Sequence, residues 1–330
     1  VQKQYCAQPQ PETPDMTAMD LTSGDLIADR RADYARMLAT GGDLEAAAEL
    51  MEQALEITPG WSAGWFLLGE YREKAGIRDA AIEAYRRVLE LNKDDVFGAG
   101  LKLTILGDRA QPATPPVAYV EQLFDDYADR FETALVEKLD YKVPGRLAAL
   151  IEAMGRAHYV RAIDLGCGTG LMGVELRARV DHLEGYDLSA NMLAKAEDKG
   201  IYNHLDQADL SLGTAEARLI NADLDAGRAD LVAAADVLMY LGDLEPVFML
   251  SSALLSTGGH LAFSVEHLMD GNDDFRLQPS LRYAHSPAYI ERLLSTHGLA
   301  PLGSEKLVIR MDGGAPVQGI LFIAEKRSTA

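Results

Sequence analysis

From about residue 160 onward, short apolar runs alternate with stretches of helical period. Val160–Leu165, Leu183–Asp187, Leu205–Leu210, Asp230–Ala235 and Leu261–Val265 have the length and character of buried strands. Residues 171–179, a stretch from Ser189 to Glu197, and Ala288–Thr296 read as helices, with the Ser189 hydroxyl placed to cap its own. Leu307–Arg310 and Gly319–Glu325 read as two final strands, joined through Gly313-Gly314-Ala315-Pro316. Strands that alternate with helices predict an α/β domain on a mostly parallel sheet. Ahead of it, Phe124, Tyr127, Ala128, Phe131 and Leu135 share one face of a helix.

The first third has a different period. Ala28–Trp61 and Ser62–Asp95 are two copies of 34 residues each. Trp65, Leu68, Gly69, Ala81, Tyr85 and Val88 of the second copy align with Arg31, Tyr34, Ala35, Ala47, Met51 and Ala54 of the first. Gly42-Asp43 and Gly76-Ile77 mark turns between paired helices, and small residues at Ala35/Gly69 and Ala47/Ala81 let such helices approach closely. This pattern resembles the tetratricopeptide repeat. Residues 96–107 read as one further helix that caps the array. Gln111–Pro116, with three prolines in six residues, reads as a linker. The expected organisation is a disordered leader over 1–20, a helical repeat domain over 21–110, the linker over 111–116, and an α/β domain over 117–330.

The chemistry concentrates where the first strand stops. Val160-Arg161-Ala162-Ile163-Asp164-Leu165 runs into Gly166-Cys167-Gly168-Thr169-Gly170. A turn this rich in glycine lets backbone N–H groups approach a ligand with no Cβ in the way. The second strand ends on Asp187, a carboxylate able to accept both hydroxyls of a ribose. Gly168-Thr169-Gly170-Leu171-Met172-Gly173 also fits the G-x-G-x-x-G fingerprint of dinucleotide sites. Asp164, two residues before the turn, argues for a cationic ligand, since a pyrophosphate would be repelled by it.

The turn and its acids resemble motif I and the acidic motif that follows it in class I S-adenosylmethionine-dependent methyltransferases. With the repeats, the chain resembles a bacterial group of methyltransferases that carry tetratricopeptide repeats. The resemblance implies a Rossmann-like, mostly parallel seven-stranded sheet with an antiparallel C-terminal strand. It implies S-adenosyl-L-methionine as donor and S-adenosyl-L-homocysteine as product. The donor would be held by Tyr127, Asp164, Gly166, Cys167, Gly168, Gly170, Asp187, Leu188, Met192, Asp209, Leu210 and Asp236, with Asp209 at the adenine amino group. The aromatic helix would close over the donor, with Phe124, Tyr127 and Phe131 near the sulfonium.

Methyl transfer is a displacement at an already activated carbon, so the protein mainly positions a nucleophile and excludes water. A base is needed only when the nucleophile arrives protonated. Asp236, His267 and His285 are the candidates, and Phe124, Phe131, Tyr240, Glu266, Arg282 and Tyr283 are the candidate acceptor contacts. Arg282 suits an acceptor carboxylate. Asp236 is not followed by Pro-Pro-Tyr, and no cysteine stands where a covalent base methylation would need one. Asp273-Asp274 reads as a solvated turn, and no metal site is expected.

Composition narrows the partners. Of the 330 residues, 51 are Asp or Glu and 31 are Lys or Arg, a formal net charge of −20. A nucleic-acid substrate would need a basic surface, so none is expected. No run is long and apolar enough for a membrane helix, and the first 20 residues lack the apolar core of a signal peptide. The two cysteines, Cys6 and Cys167, are poor partners for each other, which fits a reduced cytoplasmic setting. A small-molecule acceptor is the expected substrate. The repeats serve either as a docked or dimerising appendage, or as a groove for a protein that is methylated or merely bound.

Overall fold

The computed structural model of the protein describes residues 22–128, 141–214, 217, 219–220, 224–312 and 315–328. They divide into two compact units between Leu106 and Gly107. The first consists of α1 (Leu26–Thr40), α2 (Leu44–Ile57), α3 (Ser62–Lys74), α4 (Arg78–Leu91) and α5 (Ala99–Ile105). The Asp43 carboxylate caps α2 at the expected turn, where Gly42 takes a left-handed φ of 89°. Ala35, Ala47 and Ala81 are wholly buried. A Cβ on Gly69 would lie 2.6 Å from the Tyr85 ring, so α3 and α4 approach too closely there for any other residue. The capping helix expected over 96–107 is α5, started by the Asp95 carboxylate, which accepts from the N–H groups of Ala99 and Gly100.

The second unit runs α6 (Val117–Tyr127), α7 (Val143–Ala153), β1 (Tyr159–Leu165), α8 (Leu171–Leu176), β2 (Val180–Asp187), α9 (Ala190–Asp198), β3 (His204–Gln207), β4 (Ala229–Ala234), α10 (Glu245–Leu254), β5 (Leu255–His267), β6 (Phe275–Leu277), β7 (Tyr283–His285), α11 (Pro287–Thr296), β8 (Leu299–Asp312) and β9 (Ala315–Lys326). Strand order is β3-β2-β1-β4-β5-β7-β6, with β9 on β5 and β8 on β9. The β1–β5 pairings and β5–β7 are parallel, while β5–β9, β8–β9 and β6–β7 are antiparallel.

The central strands bury both faces. Ile163, Val232, Ala234, Leu261, Phe263 and Val265 belong to one core; Ala162, Leu231, Ala233, Ala262 and Leu321 belong to the other. Neighbours along a strand therefore point to opposite sides, which is why these segments read as continuous apolar runs rather than alternating ones.

Three features differ from the sequence reading. The hairpin β6–β7 is additional and brings the sheet to nine strands. The segment that carries the candidates Arg282, Tyr283 and His285 supplies β7, whose three residues are all buried. Strand β3 ends at Gln207, so Ala208-Asp209-Leu210 is a turn, anchored by the Ala208 N–H on the Asp187 carbonyl. The proline-rich stretch is bonded into this unit. The Gln111 amide bonds the main chain of Phe275 and Leu277, and the carbonyls of Pro112 and Ala113 accept from the Tyr283 hydroxyl and the Asp243 N–H.

Candidate functional site

Strand order turns outward on either side of β1 and β4, and ligands of such sheets sit at the carboxyl ends of the strands flanking that switch. Here β1 gives way to three left-handed glycines, Gly166 (φ 65°), Gly168 (φ 54°) and Gly170 (φ 93°). A Cβ on Gly166 would fall 2.3 Å from a Val237 methyl, so glycine is required by space as well as by φ. Gly170 is the N-cap of α8.

Asp187 closes β2 and ties two loops together. Its Oδ2 accepts the Gly168 N–H at 2.8 Å, and its Oδ1 accepts the Ser189 N–H at 2.9 Å. Burial pushes its carboxyl up to about 6, while these backbone donors pull the other way. Ser189 caps α9 as expected, accepting from the Met192 N–H, and donates its hydroxyl to Asp125 of α6. Asp209 accepts from the N–H and hydroxyl of Ser211 through one oxygen.

A cavity of about 370 Å³ opens between these loops and α6. Of the sequence-predicted residues, Phe124, Gly166, Cys167, Gly168, Asp187, Leu188, Asp209, Leu210, Asp236, Tyr240 and Arg282 line it. The rings of Phe124 and Tyr240 meet edge to face, 4.9 Å between centroids. Asp164, Gly170 and Met192 lie beneath the wall, and Asp164 and Met192 are fully buried. Phe131 and the Tyr127 side chain lie outside the described residues.

Four predicted residues stand elsewhere. His285 is wholly buried, and its Nε2 lies 2.9 and 3.1 Å from the carbonyl oxygens of Leu241 and Gly242. Two acceptors fix Nε2 as the protonated, donating nitrogen. Burial lowers its pKa to about 4, so the ring is neutral and turned away from the cavity. His267 follows Glu266 at the end of β5, off the cavity wall, its pKa lowered by partial burial and by Lys306. Tyr283 is buried, bonds the Pro112 carbonyl and stacks edge-on against Phe275. These three hold the β6–β7 hairpin or flank it; they do not line the cavity. Glu266 is also behind the wall, for a different reason.

That reason is Arg310, which the sequence reading missed. It projects from β8, is 3% exposed, and lines the far end of the cavity. Its Nη1 lies 2.9 Å from both oxygens of Asp236, and its Nη2 bonds Glu266. Arg282 donates Nε to Glu266 at 3.0 Å and also pairs with Asp312. Arg282, expected to be open to an acceptor carboxylate, is thus already shared between two acids. Burial raises the carboxyls of Asp236 and Glu266, and the arginines oppose it. Asp236 sits at a left-handed φ of 58°, its N–H held by the Ser264 hydroxyl at 2.8 Å. Tyr141 and Tyr202 were missed as well. The signal for Arg310 was present: a cation inside Leu307-Val308-Ile309-Arg310-Met311 has to be paired if the strand is buried. Among the described residues no cluster could hold a metal, and Asp273 and Asp274 pair with Arg276 and Arg292.

A family model described as a methyltransferase domain matches residues 119–301, and one for the tetratricopeptide repeat matches residues 63–95. The chain is 34% identical over 131 residues to human methyltransferase-like protein 27, covering 36% of this chain and 53% of that protein. It is 30% identical over 104 residues to the ubiquinone biosynthesis O-methyltransferase of Marinobacter nauticus, covering 32% and 43%. The matched stretch thus spans about half the length of these relatives. An S-adenosylmethionine-dependent methyltransferase structure from Clostridium acetobutylicum superposes with a TM-score of 0.45 at 18% identity, covering 62% of this chain and all of that one. The chain belongs to the methyltransferase domain family, on a Rossmann-like fold preceded by tetratricopeptide-type helices.

Proposed function

We propose that this chain transfers a methyl group from S-adenosyl-L-methionine to an oxygen or nitrogen of a small-molecule acceptor. The observation that carries this is the joining of Asp187 to the Gly166–Gly170 turn on the wall of one cavity. The residues fit the donor. Gly166 and Gly168 present backbone without a side chain to the cavity, Asp187 offers lone pairs on both oxygens to a ribose, and Asp164 Oδ1 is a buried acceptor with no partner among the described residues, suited to an α-ammonium. Asp209 and Leu210 border the end suited to the adenine. When bound, the donor supplies a methyl carbon already activated by its sulfonium.

The protein's share is positioning. Val117, Val120, Leu123 and Phe124 of α6 present an apolar wall that excludes water. Of the three candidate bases only Asp236 faces the cavity, so it takes the proton of an acceptor that arrives protonated. Tyr240 and Arg282 orient the acceptor from the same end.

Calorimetric titration with S-adenosylmethionine, with NAD as control, tests the reading. Micromolar donor binding and silence with NAD support it; binding of NAD alone would refute it.

A second reading gives the repeats the acceptor. Leu26, Tyr34 and Met37 of α1 are 66%, 62% and 67% exposed, an apolar face suited to a protein. A protein labelled by the full chain, and not after Tyr34→Ala and Met37→Ala, would favour it.

A further inference from the structure

The connection between α9 and β3 braces the glycine turn from below. Lys199 donates its Nζ to the Thr169 carbonyl at 2.6 Å, and Tyr202 donates its hydroxyl to Asp164 Oδ2 at 2.7 Å. The Tyr202 ring lies against three glycines. A Cβ would stand 3.0 Å from it at Gly170, 2.2 Å from its hydroxyl at Gly173, and 2.8 Å from it at Gly185. The third glycine of the dinucleotide-like match therefore admits a tyrosine hydroxyl. At Gly173 every close neighbour is an atom of Tyr202, so that position has given up a side chain to this ring.

The hydroxyl reaches only one carboxylate oxygen. Asp164 is 0% exposed, and its Oδ1 is buried without a hydrogen-bond partner among the described residues. An unpaired buried acceptor is costly, so this one has a use. Toward an ionised carboxylate the phenol can only donate, and that donation favours the charged form.

We propose that Tyr202 is a positioning residue for donor binding: its hydroxyl, bonded to Oδ2, favours the carboxylate form of Asp164 and turns it so that Oδ1 receives the α-ammonium of S-adenosylmethionine. The inference rests on the methyltransferase reading.

The balance of charge around Asp164 gives the proposal a pH signature. Burial and the charge of Asp187 on β2 raise the carboxyl, the Tyr202 hydroxyl and the Gly173 backbone lower it, and it stands at about 7. Cys167 in the turn and Tyr141 before α7 also face it; neither carries a positive charge. Its neighbour on β4, Ala233, has nothing to titrate. Tyr202 is thus the one side chain among these that favours ionisation, beside the Gly173 backbone. Without it the carboxyl keeps its proton to higher pH and offers a weaker site to a cation at neutrality.

The test compares two probes on the full chain by calorimetry. S-adenosylhomocysteine carries the α-ammonium; 5′-methylthioadenosine keeps the adenosine and lacks the amino-acid tail. Tyr202→Phe should weaken S-adenosylhomocysteine by roughly tenfold or more at pH 7, with the loss shrinking toward pH 8.5, and leave methylthioadenosine within about twofold. Asp164→Asn should show the same selective loss, and the double variant no further one. Equal weakening of both probes would make Tyr202 a packing residue and overturn the proposal, as would no weakening of either. Failure of the wild-type chain to bind S-adenosylhomocysteine would instead refute the donor reading itself, and the proposal with it.

Discussion

One guanidinium nitrogen of Arg310 lies 2.9 Å from each oxygen of Asp236, so a residue from β8 locks the acid that ends β4. The other terminal nitrogen bonds Glu266 of β5. Three strands are thereby fastened at the acceptor end of the cavity. Arg310→Met leaves Asp236 and Glu266 buried with less compensation, and loss of one partner of such a pair costs about 3–5 kcal/mol. The expected result is a drop in melting temperature and loss of methyl transfer. Arg310→Lys restores charge without the two-oxygen grip and should recover stability better than turnover. Equal stability of wild type and Arg310→Met, by chemical denaturation, would show the pair to be idle.

Asp187→Ala removes the acceptor of the Gly168 and Ser189 N–H groups as well as the ribose contacts. Donor affinity should fall by roughly a hundredfold or more, from loss of charged hydrogen bonds worth about 1.5–3 kcal/mol each. Asp187→Asn keeps one acceptor oxygen and should lie between. Calorimetry with S-adenosylhomocysteine reads both; unchanged binding in the alanine variant refutes the assignment.

Asp164 and Asp187 carry carboxyls raised to about 7 and about 6 by burial. A raised carboxyl pKa means the folded state binds protons more readily than the unfolded one. The ligand-free protein should therefore lose stability from these two groups as pH rises from about 4 to about 7. Donor binding needs both acids ionised and should strengthen over the upper part of that range. The predicted signature, by thermal melts, is a ligand-induced shift that grows from pH 6 to pH 8 while these acids destabilise the free form.

Glu184 behaves in the opposite sense. It is 1% exposed, and its carboxylate meets Arg161 at 2.5 Å and Arg228 at 2.8 Å. Burial pushes its pKa up, but the arginines outweigh that and hold it below the usual value. Its contribution to stability is present above the unfolded pKa and is lost as pH falls through the folded one. Arg228→Ala should cost about 2–4 kcal/mol, since it leaves the buried Glu184 with Arg161 as its one remaining arginine partner. Urea unfolding at pH 7 measures it; a loss under about 1 kcal/mol would contradict the buried-pair account.

His285→Asn should lower the melting temperature by breaking the bonds to the Leu241 and Gly242 carbonyls, and should leave the shape of the pH–rate profile unchanged. A kinetic limb that disappears with this residue would restore it as a base.

The sequence was most readable where local chemistry dictates geometry. The glycine turn, Asp187, the Ser189 cap and the 34-residue period each follow from short-range rules, and the strands with two buried faces announced themselves as apolar runs. The acceptor end was not readable in this way. Arg310 reaches Asp236 across 74 residues, and Tyr202 reaches Asp164 across 38. No spacing rule connects such partners. His285 looked catalytic because a histidine after a strand near a polar segment matches a site pattern; that the segment is itself a buried strand depends on pairing with β5 and β6. Strand β5 was read short because its apolar signal fades at Ser256-Thr257-Gly258-Gly259, where the register with β4 is interrupted before resuming at Leu255.

The lacing of Gln111, Pro112 and Ala113 onto the β6–β7 hairpin and Asp243 has a practical meaning for anyone dissecting the molecule. A chain trimmed to begin at Val117 would strip the outer hairpin of its fasteners. It would also delete Pro115 from the cavity wall. Inactivity of such a fragment would then be charged to the missing repeats when a handful of prolines was at fault. The cut that isolates the second unit falls before Gly107, and a stretch that looks like spacer is part of the pocket.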